Sequence, residues 1–347
     1  MFTVVIPNWN GKHHLAECLD SLRNQAWKKF ETIVVDNHSS DGSVEFVRQH
    51  YPEITLITMD TNSGFAAAVN AGIRRAGGAF VALLNNDTAV DARWLEALAA
   101  AISDNPDIQF FASHLVDYFD RRFVDSAGDG VDLDLGPYKI GTGEPVEKYG
   151  ERRLVFGACG GGGCYRKDLF DQIGLFDEDF FAYYEDVDLS FRANWAGFRC
   201  LFVPDAIIYH KVGATAKADA EATRRFAVMT RRNLLMLIAK NYSPRMLLRH
   251  IPAILTIMSL RKIGAFFKIR STLRRRLTET FCPEWQFLRL WSATIKKRRA
   301  IMLTRRISDQ AMEERCLRLP GPGRFFLTVW LRRHAALMRS SWSKRFF

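Results

Sequence analysis

Short apolar runs alternate with stretches of helical period through the first two hundred residues. Residues 3–6, 32–35, 54–57 and 80–84 are apolar, largely β-branched runs of four or five residues, each followed by polar or turn-forming positions, as buried strands are. Between them, residues 14–26 carry Leu15, Cys18, Leu19 and Leu22 at helical spacing. Ser40-Asp41-Gly42 can start a helix over residues 43–50, and residues 64–75 and 92–102 again read as helices. Strand–helix alternation predicts an α/β fold, a mostly parallel Rossmann-like sheet flanked by helices. Such sheets bind ligands at the carboxyl ends of their strands. The residues that end the strands therefore become candidates: Pro7-Asn8, Asp36 and Asn85-Asn86-Asp87.

Further along, the period breaks. Residues 115–155 look loop-rich, interrupted by Gly128, Gly130, Gly136, Pro137, Gly141, Gly143 and Pro145. Gly157 and Gly160 to Gly163 mark a flexible or closely approached backbone. A helix over 166–173, the acidic-aromatic run FDEDFFAYYEDVDLSFRANWAG and a strand over 199–203 follow. Beyond about residue 215 the pattern turns helical, with a helix over 221–240 and a Ser243-Pro244 start signal for another.

Charge divides the chain at the same place. Residues 1–210 hold 18 basic and 31 acidic side chains, net −13; residues 211–347 hold 31 and 7, net +24. We expect two parts, 1–215 and 216–347, with different roles. The six cysteines form no CxxC pair, which fits unpaired thiols in a reducing, cytoplasmic setting. The start carries no basic leader segment. The longest apolar stretch of the tail, residues 251–260, contains Pro252 and is half of the about 20 residues a membrane span needs.

Five stretches occur in order: VVIPNWNG, VVDNHSSDGS, NSGFAAAVNAGI, LLNNDT and GLFDEDFFAYYEDVDLSFRA. Over roughly residues 1–240 the chain resembles the inverting, nucleotide-sugar-dependent glycosyltransferases of family 2, which have the GT-A fold, and in particular their rhamnosyltransferase-like branch of bacterial polysaccharide assembly. The resemblance implies that the turn Pro7, Asn8 and Asn10 contacts the nucleotide, that Asp36 accepts the N3–H of uracil or thymine, and that Asn62, Gly64 and Asn70 add contacts at a helix start. Independently, small residues at a helix N-terminus suit phosphate. Asn85-Asn86-Asp87 matches the position of the DxD motif, whose two carboxylates hold Mg²⁺ or Mn²⁺ on the diphosphate. Asn85 replaces the first of them, leaving Asp87 as the metal ligand, with His210 completing the site from across the cleft.

The same resemblance makes the second acid of Glu185-Asp186 the base that deprotonates the acceptor hydroxyl, Glu185 being the rival. An isolated Glu-Asp is ordinarily a solvated helix start; in this context Asp186 takes the catalytic role. Asp188 and Arg192, four apart, read as a structural pair. Gly160 to Gly163 would lie where donor and acceptor meet.

The implied reaction moves a sugar, best L-rhamnose from dTDP-L-rhamnose, to a lipid-linked or polysaccharide acceptor; a UDP-sugar donor is the alternative. A nucleotidyltransferase would want a basic glycine-rich loop after the first strand, which residues 7–11 are not. A non-catalytic adaptor would not need Asp36, Asp87, Asp186 and His210 together. The tail interleaves Arg and Lys with Phe266, Phe267, Trp285, Phe287, Trp291, Phe325, Phe326 and Trp330. Without a nucleic-acid-binding motif, this favours peripheral association with the anionic inner face of the cell membrane over nucleic acid or a self-packed helical domain. On that reading, removing residues beyond about 240 would release the protein from anionic liposomes and leave nucleotide binding intact.

Overall fold

The computed structural model describes residues 1–211, 220–268 and 273–316. The basic-aromatic positions Phe325, Phe326, Trp330, Arg332 and Arg333 lie outside them, as do residues 212–219.

The alternation builds a parallel half-sheet. Strands β1 (Phe2–Asn8), β2 (Phe30–Asp36), β3 (Thr55–Thr58) and β4 (Phe80–Leu83) pair in parallel in the order β3-β2-β1-β4. Helices α1 (Lys12–Arg23), α2 (Ser43–His50), α3 (Gly64–Arg75) and α4 (Trp94–Asp104) connect and cover these strands. Alternate residues face opposite layers, as a strand's period of two requires. Val4 and Ile6 join the core under α1 and α4, whereas Val5 joins the core under α3.

The second half is less regular. Short β5 (Thr88–Val90) leads to α4, and β6 (Phe110–Asp117) begins beyond it. Then come β7 (Val124–Ser126), β8 (Asp129–Asp132), β9 (Gly136–Lys139), β10 (Arg153–Val155) and β11 (Gly163–Arg166). Strand β12 (Cys200–His210) runs through Pro204 with a bulge between Val203 and Ile207, longer than the strand expected over 199–203. Among the described residues the main sheet has ten strands, with the path β10-β12-β6-β11-β4-β1-β2-β3. β11 is wedged antiparallel between β4 and β6, while β12 runs parallel to β6. The sheet is thus mostly parallel, as predicted.

Residues 115–155 are not simply loops. Strands of three or four residues carry no readable period, and positive-φ glycines at Gly128, Gly136 and Gly141 turn the chain between them. The glycine run is close-packed rather than flexible. A Cβ on Gly157 would stand 2.2 Å from Ser190 Oγ, and one on Gly161 would stand 2.7 Å from Asn85 Nδ2.

The helical region follows: α5 (Lys167–Ile173), α6 (Glu185–Trp195), α7 (Ala220–Asn241), α8 (Pro244–Lys268), α9 (Leu273–Thr304) and α10 (Asp309–Arg315). One core crosses the change in composition. Phe156, Phe180, Val187, Phe191 and Trp195 pack with Met236, Leu237, Tyr242, Met246 and Ile301. Trp195 donates its indole N–H to Asn241 O (2.9 Å), and Arg315 reaches the carbonyls of Asn194 and Phe198 (3.2 and 2.7 Å). A chain cut near residue 240 would bare this core, so the membrane question belongs to surface substitutions, not to truncation. No helix among the described residues is long and apolar enough to cross a membrane.

Candidate active site

The carboxyl ends of β1, β2 and β4 lie side by side at one edge of the sheet. Asn8, at the end of β1, is buried there and donates to Asp36 Oδ2 at the end of β2 (2.9 Å). Asn86, after β4, donates to Asn8 Oδ1 (2.7 Å). The other Asp36 oxygen accepts Ser39 N–H (2.9 Å), and Ser40 N–H donates to Asn10 Oδ1 (2.8 Å). Asn10 adopts a positive φ of 50°, a conformation that Asn tolerates better than most side chains. Pro7 precedes this network and Trp9 stands exposed at its rim. Gly11 is pressed against the same amides: a Cβ there would lie 2.0 Å from Asn86 Nδ2.

At the start of α3, Asn62 Oδ1 accepts Gly64 N–H and Asn37 Nδ2–H, both at 3.1 Å. Gly64 has φ of 87°, and a Cβ would strike Phe181 O at 2.4 Å. Only glycine serves at this position. Asn70 differs from its neighbours in the motif. It is buried within α3 and exchanges hydrogen bonds with the backbone of Phe176 (2.9 and 3.0 Å), while also donating to Glu178 (2.8 Å). Its amide is committed to holding the 176–178 loop, which leaves little of it for a nucleotide.

The metal candidates face each other. Asp87 is buried, and its Oδ1 lies 3.4 Å from His210 Nε2 at the end of β12. His210 Nδ1 lies 2.9 Å from Asp125 Oδ2, and Lys139 Nζ lies 2.9 Å from that same oxygen. Burial works against a charged His210, but Asp125 and Asp87 outweigh it and push its pKa up to about 9. Burial likewise opposes the Asp125 carboxylate, yet His210 and Lys139 pull it down to about 2. Among the described residues no three Asp, Glu, His or Cys side chains converge as a complete metal shell. The Asp87 carboxylate suits Mg²⁺ or Mn²⁺ where substrate phosphates supply the other ligands, whereas His210, held protonated between two carboxylates, must release a proton before it can ligate. Asn85 uses its carbonyl to accept from Thr88 Oγ1 (2.6 Å), while its side chain packs on Gly161.

The acidic pair opens α6. Asp186 Oδ2 accepts Gly160 N–H and Oδ1 accepts Val187 N–H, both at 2.8 Å, and the residue keeps part of its surface open. Burial raises the Asp186 pKa, and the two N–H donors only partly offset it. Glu185 is buried with Oε2 unpartnered, so burial and the neighbouring Asp186 charge hold it well above the usual carboxylate range. Asp129 shares this condition: its Oδ2 is buried without a partner, and burial and Asp186 raise its pKa well above normal. Asp188 pairs with Arg192 (2.9 Å) as its spacing predicts, and also binds Lys240 Nζ (2.8 Å).

Asp125, Asp129 and Lys139 were not candidates in the sequence because they sit in the glycine-rich stretch without a motif. The available signal was the density of aspartates, Asp125, Asp129, Asp132 and Asp134, within a segment that also carries Val124, Val131 and Leu133 for a core.

With this geometry in view, the comparisons fall into one pattern. Residues 3–174 match the model of glycosyl transferase family 2. The chain is 30% identical over 252 residues to the N-acetylglucosaminyl-diphospho-decaprenol L-rhamnosyltransferase of Mycobacterium tuberculosis, covering 62% of this chain and 78% of that protein. It is 29% identical over 232 residues to the amylovoran biosynthesis glycosyltransferase AmsB of Erwinia amylovora, covering 61% and 70%. Among solved structures, TarS residues 1–349 of S. aureus in complex with UDP-GlcNAc aligns with a TM-score of 0.53 at 18% identity, over 87% of this chain and 83% of that one. The mannosyltransferase PcManGT of Pyrobaculum calidifontis with GDP-Man and Mn²⁺ aligns with a TM-score of 0.50 at 17% identity, over 87% and 86%.

Proposed function

The chain belongs to glycosyl transferase family 2 and is a transferase of GT-A fold, and from that premise we propose that it moves L-rhamnose from dTDP-L-rhamnose to a lipid-linked acceptor, with inversion at the anomeric carbon. The donor is supported by the mycobacterial rhamnosyltransferase relative at 30% identity. That relative's name also supports the acceptor class, a prenyl diphosphate bearing N-acetylglucosamine.

The observation that carries the reading is Asp186, held by Gly160 N–H beside the Gly161–Asn85 contact, with its basicity raised by burial. In the reaction the acceptor oxygen attacks the anomeric carbon, its proton passes to the Asp186 carboxylate, and the bond from that carbon to the diphosphate breaks on the opposite face. The nucleoside diphosphate leaves with the electron pair. Asn8, Asp36 and the turn around Pro7, Asn10 and Asn86 would hold the base and ribose. The backbone at Asn62 and Gly64 would face phosphate at the start of α3. Asp87, joined by His210 once that imidazole has released its proton, would hold Mg²⁺ or Mn²⁺, which when bound supplies neutralisation of the charge growing on the diphosphate.

The exposed faces of α8 and α9 support peripheral binding to an anionic membrane. Leu248 is 82% exposed between exposed Arg245 and Arg249, and Trp285 is 69% exposed on a helix face continued by Leu288. An enzyme with a prenyl-linked acceptor has reason to sit at the cytoplasmic membrane face.

A thermal-shift screen of nucleotide-sugars with and without Mn²⁺ tests the donor. dTDP-L-rhamnose should raise the melting temperature, and more so with Mn²⁺; saturation at about a hundred times Kd stabilises by about 2.7 kcal/mol. Stabilisation by UDP-sugars alone would move the donor assignment, and none by any nucleotide-sugar would contradict the enzyme reading.

A further inference from the structure

Residues 180–184 lead directly into Glu185-Asp186, and three of them adopt conformations that L-residues rarely take. Phe181 has φ of 65° and ψ of −65°, and Ala182 N–H donates to Phe180 O (2.8 Å) across it, forming the strained γ-turn of positive φ. Tyr183 and Tyr184 have φ of 70° and 69°. None of the three is glycine, so the sequence itself does not favour this path. The path nevertheless fixes two functional edges. Phe181 O accepts Ala66 N–H (3.2 Å) in the first turn of α3, and Tyr184 stands immediately before α6.

The restraint comes from α7, outside the motifs. Asn233 is fully buried, and its Nδ2 lies 2.9, 2.8 and 2.8 Å from the carbonyl oxygens of Phe180, Ala182 and Tyr183. Two N–H bonds thus serve three acceptors on the strained segment. Arg232 sets the orientation of that amide by donating to Asn233 Oδ1 through Nε (2.9 Å) and Nη2 (2.7 Å). The same Nη2 also reaches Asp179 O (3.1 Å) and Phe180 O (2.9 Å). Backbone carbonyls turned inward by such a path need donors, and these two side chains supply them.

We infer that Asn233, oriented by Arg232, is a positioning residue for the transfer reaction: it holds the 180–184 segment so that Asp186 meets the acceptor hydroxyl. The inference rests on the glycosyltransferase reading. It adds that a residue of the C-terminal helices governs the rate through the backbone rather than by touching substrate.

The decisive variant is Asn233→Asp, which keeps the shape and replaces the donor by an acceptor. Its kcat should fall about 100-fold, the scale on which misplacing a reacting group by an ångström acts. KM for the nucleotide-sugar and dTDP binding should stay within threefold, because Asn8, Asp36 and Asn86 hold one another at the strand ends without help from α7. Hydrogen exchange of the peptide spanning residues 178–186 should accelerate while peptides from β1 to β4 keep wild-type rates. Arg232→Gln, at a half-buried position, should give the same pattern with about a tenfold loss of kcat, and it bears the test if Asn233→Asp does not fold. A kcat within twofold of wild type, unchanged exchange at 178–186, or exchange accelerated equally across the whole sheet would each overturn the inference. If wild type transferred no sugar at all, the glycosyltransferase reading would fail, and the exchange pattern alone would still decide whether Asn233 clamps the segment.

Discussion

Asp129 and Asp186 illustrate how one residue type takes opposite duties from its surroundings. Asp186 is partly open and has two N–H donors, so it can take and release a proton. Asp129 buries an oxygen without a partner, and burial raises its pKa well above the ordinary value. A carboxyl with a raised folded-state pKa destabilises the fold as the pH climbs above its unfolded value of about 3.9. Asp129→Asn should therefore raise the melting temperature at pH 7, with the gain vanishing near pH 3, where both forms are neutral; an equal melting temperature at pH 7 would contradict this. The raised Asp186 pKa also places the acidic limb of kcat/KM above the ordinary carboxylate range, activity rising with pH as the base deprotonates. A limb at or below about pH 4 would show that burial does not set its basicity. At this scale the strand-end residues were legible because each closes an apolar run. Asp125 and Asp129 were not, because strands of three or four residues have no period. Asn70 matched its motif position yet is spent on the 176–178 loop.

Among elements, α6 is held as much from the tail as from the sheet. Lys240, only 3% exposed, lies 2.6 Å from Asp177 and 2.8 Å from Asp188, while Lys297 of α9 reaches Asp177 and Asp179 (2.5 and 2.7 Å). Burial opposes charge on Asp177, but Lys240 and Lys297 hold its pKa well below the usual range. The stability this contributes is present above the unfolded pKa of about 3.9 and is lost as the pH falls toward the folded value. Lys240→Met leaves two carboxylates short of a partner, so urea denaturation at pH 7 should show a loss of about 3 kcal/mol, shrinking in acid; a midpoint unchanged at pH 7 would refute the role of the network. The left-handed residues before α6 cost about 1–3 kcal/mol each, which explains why so many donors converge on that loop. The first four strands and helices followed the pattern because each element carries its own period. β6 did not, since a strand buried on both faces and interrupted by Ser113 and His114 shows neither alternation nor a pure apolar run. The anchoring of α7 and α9 was invisible because a basic helix reads the same whether its charges meet solvent or buried aspartates.

For the whole molecule, the acidic front and basic tail divide composition but not packing. The tail supplies lysines to buried acids on one side and exposes Leu248, Leu255, Trp285, Leu288 and Trp291 on the other. Replacing Leu248, Trp285 and Leu288 together by Ser should at least halve co-flotation with anionic vesicles and leave the melting temperature within two degrees of wild type, about the shift of a sub-kcal/mol change. Full flotation of that variant would remove the membrane assignment. The central claim, that Asp186 is the base of an inverting sugar transfer, is tested most directly by pairing transfer with binding. Wild type and Asp186→Asn would be given dTDP-L-rhamnose and a prenyl-diphosphate-linked N-acetylglucosamine, with the new linkage read by NMR and dTDP affinity by calorimetry. The account predicts an inverted linkage from wild type, and from Asp186→Asn a dTDP affinity within threefold but transfer reduced at least about 100-fold, the general-base contribution being about 10²–10⁴-fold. Turnover by Asp186→Asn near the wild-type rate, or a retained anomeric configuration, would contradict it.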